Sequence, residues 1–135
     1  MAYPSVEDLA ITRSLPNLVV LAPTDGPDTA AAVRAAAEHV GPVYLRFGRD
    51  EVATCTTGEA FAIGVAQILR EGRDLLLCAC GPMVGVCLDA ANTLALQGID
   101  CAVMAMPSIK PLDSTSLIQW AQKTGAVLTV EGAGE

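Results

Sequence analysis

The sequence has few aromatic residues and no apolar run long enough to cross a membrane. Phe, Trp and Tyr together make up 4% of the 135 residues, whereas the strands of all-β sandwiches are enriched in aromatic and β-branched side chains. A transmembrane helix needs about 20 consecutive apolar residues, and residues 1–16 carry charges where a signal peptide has its apolar core. These features favour helices packed on a sheet, no membrane partner and a cytoplasmic location.

Positive charge is also scarce. The sequence contains eight Lys and Arg residues and fifteen Asp and Glu residues, which gives a formal net charge of −7. Nucleic acid is therefore excluded as a partner, because a phosphate backbone is bound through clustered Lys and Arg. A small anionic substrate remains compatible with this balance, since one or two well-placed arginines are enough to hold a phosphate.

The familiar catalytic motifs are absent. The sequence contains no GxSxG, GxGxxG or Walker loop, and its one histidine, His39, falls in the last turn of an Ala-rich helix, where it suits the negative helix end. Five cysteines without framework spacing indicate reduced, buried thiols rather than disulfides or a zinc site. They are Cys55, Cys78, Cys80, Cys87 and Cys101.

The first third of the chain has a β–α–β pattern preceded by a helix. Helical spacing covers residues 6–14, and short apolar runs at 18–22 and 43–47 are typical of buried strands. Asp25 is the expected N-cap of the helix between these strands. A crossover of this length predicts that the two strands are parallel neighbours.

The charges of the first helix do not form a catalytic pair. Glu7 and Asp8 are adjacent in sequence, and adjacent residues on a helix point apart. We expect Arg13 to form an ion pair with Asp8 or a neighbouring carboxylate rather than to bind a ligand.

The remainder of the chain predicts a second unit with three layers. Residues 48–58 are polar and aperiodic, and we place a linker at 52–61 between a first domain at 1–51 and a second at 62–135. Residues 108–113 (SIKPLD) are expected to form a loop. The predicted strands are 62–69, 74–80, 101–106 and 126–131, and the predicted helices are 83–97 and 114–123.

Two arginines follow each other closely in GPVYLRFGRD. Three residues apart, Arg46 and Arg49 point to opposite faces of an extended strand and do not form a joint clamp. Arg49 follows the carboxyl end of the strand, after a glycine, and ligands of open α/β sheets bind at such ends. Its guanidinium could bind a phosphate through two parallel hydrogen bonds or form a surface ion pair.

Several stretches together resemble the C-terminal part of a transketolase. They are SVEDLAITRSLPNLVVLAPTD, GPVYLRFGRDEV, AIGVAQILREGRDLLLCACGPMV, SIKPLD and GAVLTVE. They cover nearly the whole chain in order, and the LRFGR form is most similar to split transketolases, whose C-terminal subunit is a separate polypeptide. Deoxyxylulose-5-phosphate synthase and the β subunits of 2-oxo-acid dehydrogenases share much of the same sequence pattern and remain alternatives.

This resemblance implies half of a pyrimidine-binding domain at 1–51 and a transketolase C-terminal domain at 62–135. It implies transfer of a two-carbon ketol unit between sugar phosphates in carbohydrate metabolism, with thiamine diphosphate (thiamine pyrophosphate) and a divalent metal such as Mg²⁺. The implied partners are an N-terminal transketolase subunit and a second copy of the chain. Arg49 occupies the position at which the family binds the phosphate of its substrate.

The chain also departs from the family pattern. Where the family carries a histidine that contacts the sugar, this sequence has Tyr3, which can form a hydrogen bond but is not a cation near neutral pH. The glutamate that activates the cofactor, the aromatic residues that hold it and the last helix of the family have no counterpart here. We therefore expect no cofactor or metal ligands in this chain and no activity alone. A non-catalytic assembly module of the same fold is the alternative.

Overall fold

The computed structural model describes residues 7–48 and 51–132. Four helices and seven short strands follow one another along the chain. They are α1 (Asp8–Ser14), β1 (Val19–Leu21), α2 (Gly26–Glu38), β2 (Val43–Leu45), β3 (Gln67–Arg70), β4 (Leu75–Ala79), α3 (Met83–Ala95), β5 (Cys101–Ala105), β6 (Ser108–Lys110), α4 (Ser114–Thr124) and β7 (Val127–Val130). No helix in these two ranges is long and apolar enough to span a bilayer.

The first sheet has the strand order β2-β1-β6. β1 and β2 are parallel, with Leu21 opposite Leu45, as their short helical crossover predicts. Val20 and Leu21 are fully buried, because β1 lies between two strands and is covered by helices. The helix α2 begins after Asp25, which caps it as expected.

The expectation of a loop at residues 108–113 is wrong for its first half. Ser108–Lys110 forms β6, which crosses from the second part of the chain and pairs antiparallel with β1. Three residues are too few to show a strand period, and the partner strand lies almost ninety residues earlier in the sequence. The two halves of the chain therefore share a sheet.

The second sheet has the order β3-β5-β4-β7. Its central strands, β4 and β5, are almost completely buried and parallel to each other. α3 packs on one face through Val84, Cys87 and Ala91, and α4 covers the other face through Leu117 and Trp120. This arrangement is the three-layer α/β architecture that the sequence predicts.

Residues 62–66 are not a strand, contrary to the sequence-based prediction, and β3 begins only at Gln67. Gly64 has a φ of +83°, which breaks the extended backbone. The amide of Ala66 donates to Asp113 Oδ2 at 2.9 Å instead of joining the sheet. Asp113, which precedes Ser114, is the N-cap of α4 and also accepts from the amide of Ser116.

Candidate functional site

Three strands end at one seam between the two sheets. β1 and β2 end side by side, and the amide of Gly81, after β4, donates to the carbonyl of Ala22 at 3.1 Å. The chain leaving β2 lies against the start of α3, since a Cβ on Gly48 would stand 2.8 Å from Pro82 Cγ. Ligands of α/β proteins bind at carboxyl ends of strands, and this seam is therefore the candidate site.

Arg46 is held within the chain at this seam. Its Nε lies 3.3 Å from Asp8 Oδ2, and its terminal nitrogen donates to the carbonyl of Gly132 at 3.1 Å. Tyr44 donates its hydroxyl to the same Asp8 oxygen at 2.7 Å. Hydrogen bonding to Asp8, together with burial, raises the pKa of Tyr44 above 10.0. Arg46 is thus structural, and Asp8 pairs with Arg46 rather than with Arg13.

The two residues that the sequence singles out, Arg49 and Tyr3, lie outside the described residues. Gly48, which precedes Arg49, faces Pro82, and the first described residue after Tyr3 is Glu7, the N-cap residue of α1. The roles of Arg49 in phosphate binding and of Tyr3 in substrate contact stay predictions.

A buried polar network holds the beginning of α2. Asp25 is 3% exposed and its carboxylate accepts from the amides of Asp28, Cys55 and Thr56 and from the Thr56 hydroxyl, at 2.6–3.2 Å. Burial raises the pKa of Asp25, but these hydrogen bonds outweigh it and lower the pKa below 3.8. Asp28, fully buried, accepts from the amide of Thr24 and from the side chain of Gln67.

Sequence reasoning identified Asp25 only as a helix cap. The spacing Asp25–Asp28 signals a helix start, but Thr56 and Gln67 lie about thirty to forty residues further along the chain. No local pattern marks these two as partners of the carboxylates. The network therefore joins α2 to Cys55 and Thr56, which precede the second sheet, and to Gln67 at the start of β3.

None of the cysteines is a thiolate at neutral pH. All five are free thiols, and burial raises their pKa. For Cys78 and Cys80 the pKa is about 11. Cys55 reaches about 11 as well, because it is partly buried and faces the negative charge of Asp25. A thiol is nucleophilic as the thiolate, so these side chains do not suit covalent catalysis.

An open cleft of about 400 Å³ lies between α1 and β6, away from the seam. Arg13, Ser14, Ile109 and Lys110 are among its lining residues. The Lys110 ammonium donates to the carbonyls of Arg13 and Leu15, where a cation complements the carboxyl end of a helix. The Ser14 hydroxyl donates to the carbonyl of Ile11 at 2.7 Å, and among the described lining residues there is no carboxylate or histidine that could activate it as a nucleophile.

The described residues do not fit a metal–diphosphate site. A divalent cation that carries a diphosphate takes oxygen ligands such as carboxylates, and residues 7–48 and 51–132 contain no group of three His, Cys, Asp or Glu side chains that could hold a metal ion. Two buried carboxylates, those of Asp8 and Asp25, are used by Arg46 and by the α2 network. No step that uses the cofactor is assigned to this chain.

Two family models match the chain. Residues 64–135 match the model of the transketolase C-terminal domain, and residues 2–54 match that of the transketolase pyrimidine-binding domain.

Curated relatives with longer sequences are similar to this chain over part of their length. An uncharacterized transketolase family protein of Sinorhizobium fredii is 37% identical over 131 residues, which are 96% of this chain and 38% of that protein. A 6-deoxy-6-sulfo-D-fructose transketolase subunit of a Clostridium species is 40% identical, over 96% of this chain and 40% of its own length. The 1-deoxy-D-xylulose-5-phosphate synthase of Desulforudis audaxviator is 36% identical, over 97% of this chain and 21% of its own length. The chain thus spans two fifths or less of these relatives.

Among solved structures, a split-gene transketolase described as an inactive β4 tetramer superposes with a TM-score of 0.91. It is 42% identical, and the match covers 94% of this chain and 43% of that one. A transketolase from Pichia stipitis in complex with sedoheptulose 7-phosphate superposes with a TM-score of 0.81 at 28% identity, over 95% of this chain and 20% of that one.

Proposed function

The chain belongs to the transketolase family, and from this premise we propose that it forms part of an enzyme that transfers a two-carbon ketol unit between sugar phosphates. In this proposal the chain supplies Arg49 as the ligand of the substrate phosphate and Tyr3 as a further substrate contact. The proposed enzyme is cytoplasmic and uses thiamine diphosphate with a divalent metal, bound mainly by the partner polypeptide.

The observation that supports the proposal is the location of Gly48, the described residue that precedes Arg49. Gly48 packs against Pro82 at the carboxyl ends of the strands, where α/β proteins bind ligands. Arg46, the other arginine of this stretch, is already engaged by Asp8 and Gly132. Arg49 follows Gly48 directly in the sequence, and a guanidinium is suited to bind a phosphate through two parallel hydrogen bonds.

The proposed partners are an N-terminal transketolase polypeptide and a second copy of this chain. The match with a split-gene transketolase supports this view, because that structure is named a tetramer of β chains and is described as inactive. The chain accordingly acts only after assembly. A neighbouring reading frame that encodes a diphosphate-binding half would favour this function, and an isolated frame would favour the assembly module.

The test is ketol transfer by this chain assembled with a transketolase N-terminal polypeptide. We expect Arg49→Ala to raise KM for phosphorylated sugars about 10- to 100-fold, since a hydrogen-bonded charge contributes about 1.5–3 kcal/mol, and to leave KM for unphosphorylated sugars nearly unchanged. Arg73→Ala is the matched control, because Arg73 is a surface side chain that faces Asp74 and Asp100. Equal effects of Arg49→Ala on both kinds of sugar would remove its assigned role.

A second candidate activity is the synthesis of 1-deoxy-D-xylulose 5-phosphate. Several synthases with that name are 34–40% identical to this chain, and the phosphate role of Arg49 suits a phosphorylated product equally well. Assays of the assembled enzyme for this product and for ketol transfer distinguish the two activities.

A further inference from the structure

The open cleft between α1 and β6 combines positive charge with apolar surface. Arg13 and Lys110 supply the charge, and Ala10, Ile109 and Leu112 form the apolar part of its lining. None of the described lining residues is acidic, although the whole chain has a formal net charge of −7. The cleft therefore differs in charge from the chain as a whole.

The two positive charges of the cleft have different surroundings. The Lys110 ammonium donates to the carbonyls of Arg13 and Leu15, at the negative end of α1. Two of its three N–H groups are thereby used, and its charge is partly balanced. The Arg13 side chain is exposed and forms no ion pair with any other described residue. The guanidinium of Arg13 is therefore the main group in the cleft that can bind an anion.

Both walls of the cleft are held in place by the fold. On one side, β6 is paired with β1, and Ile109 packs against the buried cluster that contains Leu9 and Val20. On the other side, the Thr12 hydroxyl donates to the carbonyl of Asp8 at 2.6 Å within α1. Lys110 joins the two walls. A ligand would enter a cleft that already exists, which lowers the entropic cost of binding.

We propose that this cleft is a separate binding site for a small monocarboxylate that carries a short hydrocarbon chain. A planar carboxylate matches the guanidinium of Arg13 through two parallel hydrogen bonds. The hydrocarbon chain covers the apolar wall formed by Ile109 and Leu112 and removes both surfaces from water. One guanidinium balances one negative charge, whereas a phosphate dianion would leave excess negative charge on a chain that is already acidic.

NMR titration of the full chain with hexanoate tests this site. We expect the backbone amides that line the cleft to shift and to saturate with a Kd of about 1–10 mM, as suits so small a ligand. Acetate should bind about tenfold more weakly, because it lacks the methylene groups that cover the apolar wall. Hexanamide has nearly the same shape without the charge, and it should produce no saturable shift.

Three variants separate specific binding from general attraction of anions. Arg13→Gln should raise the Kd for hexanoate about tenfold, because it removes the charged hydrogen-bond donor. Arg34→Gln is the matched control, since Arg34 is an exposed arginine of α2 and is not part of the cleft lining. Leu112→Asn should weaken the binding of hexanoate and leave that of acetate unchanged. It also tests the cleft if circular dichroism shows that Arg13→Gln does not fold.

Several results would overturn the proposal. Equal weakening by Arg13→Gln and Arg34→Gln, or amide shifts outside the cleft alone, would mean that anions are attracted without a site. Equal affinity for hexanoate and hexanamide would remove the role of the carboxylate, and tighter binding of inorganic phosphate than of hexanoate would contradict the choice of a monoanion. Since the cleft contains neither Arg49 nor Tyr3, each of these results leaves the proposed ketol transfer untouched.

Discussion

At the scale of single residues, the polar side chains next to the seam are already paired with one another. Asp8 accepts from Tyr44 and faces Arg46, and Arg46 also reaches Gly132. Asp8 is 9% exposed; its Oδ2 makes both of these contacts, whereas its Oδ1 is buried and has no hydrogen-bond partner among the described residues. This triplet therefore stabilises the edge of the site through Asp8 Oδ2.

The pKa of Tyr44 provides a test of this triplet. Because the folded-state pKa lies above 10.0, the hydrogen bond to Asp8 contributes its full stability below pH 10 and loses it as the pH rises through the folded-state value. The chain has two tyrosines, Tyr3 and Tyr44. In a Tyr3→Phe variant we expect the ultraviolet absorbance of the phenolate to appear with a midpoint above pH 10.

The control for this titration is the same variant unfolded in urea, whose phenol should titrate near pH 10. Circular dichroism at each pH shows whether the chain is still folded. A folded-state midpoint at or below that of the unfolded chain contradicts the hydrogen bond between Tyr44 and Asp8.

Residue-scale reasoning from the sequence succeeded where the chemistry is local. Asp25 caps α2 through the amide of Asp28, as the sequence predicts. The expected ion pair between Arg13 and Asp8 is wrong, because the partners of Asp8 are Tyr44 and Arg46, which lie 36 and 38 positions away in the sequence. The site can be predicted only as far as its contacts are local in the sequence.

At the scale of elements, helices and buried strands were predictable because periodicity and capping are local properties. β4 and β5 are continuous apolar runs and occupy the centre of their sheet. β6 was missed because its three residues are a strand only through pairing with β1. The start of β3 was misplaced because the amide of Ala66 binds Asp113, a contact that no pattern near Ala66 reveals.

Alanine substitutions at two glycines test the packing of these elements, and they should change the free energy of unfolding in opposite directions. A Cβ on Gly72, before β4, would lie 2.2–2.5 Å from backbone atoms of Cys101 and Ala102, so Gly72→Ala should lower the free energy of unfolding by about 3 kcal/mol. Gly85, inside α3, has no atom within 4 Å of such a Cβ, so Gly85→Ala should raise it by about 0.8 kcal/mol. Urea unfolding of both variants measures these changes.

The pair is its own control, since the substitution is the same at both positions. If Gly72→Ala is as stable as the unchanged chain, the close approach of the β3–β4 turn to β5 is contradicted. If Gly85→Ala is destabilising, α3 does not have the open space that surrounds Gly85.

At the scale of the whole molecule, two sheets are joined by β6 and by the polar network of Asp25 and Asp28. Each sheet has two edge strands, which are β2 and β6 in the first sheet and β3 and β7 in the second. Leu128 of β7 is 52% exposed. The chain matches two transketolase domain models in order and spans 43% of the split-gene transketolase chain that it resembles. Under the proposed function, such a chain would contribute one wall of the substrate site, and its partner polypeptide would contribute the rest.

This division of labour predicts that the purified chain does not bind thiamine diphosphate. The described residues place no set of oxygen ligands for a metal ion that could carry the diphosphate, and the buried carboxylates of Asp8 and Asp25 are engaged by Arg46 and by backbone amides. Calorimetric titration of the chain with thiamine diphosphate and Mg²⁺ should give no binding heat, and the same titration after assembly with a transketolase N-terminal polypeptide should give saturable binding. Arg73→Ala, a surface change, should alter neither result. Micromolar binding by the chain alone would mean that a cofactor site exists within these 135 residues, and the assignment of cofactor chemistry to the partner would then be wrong.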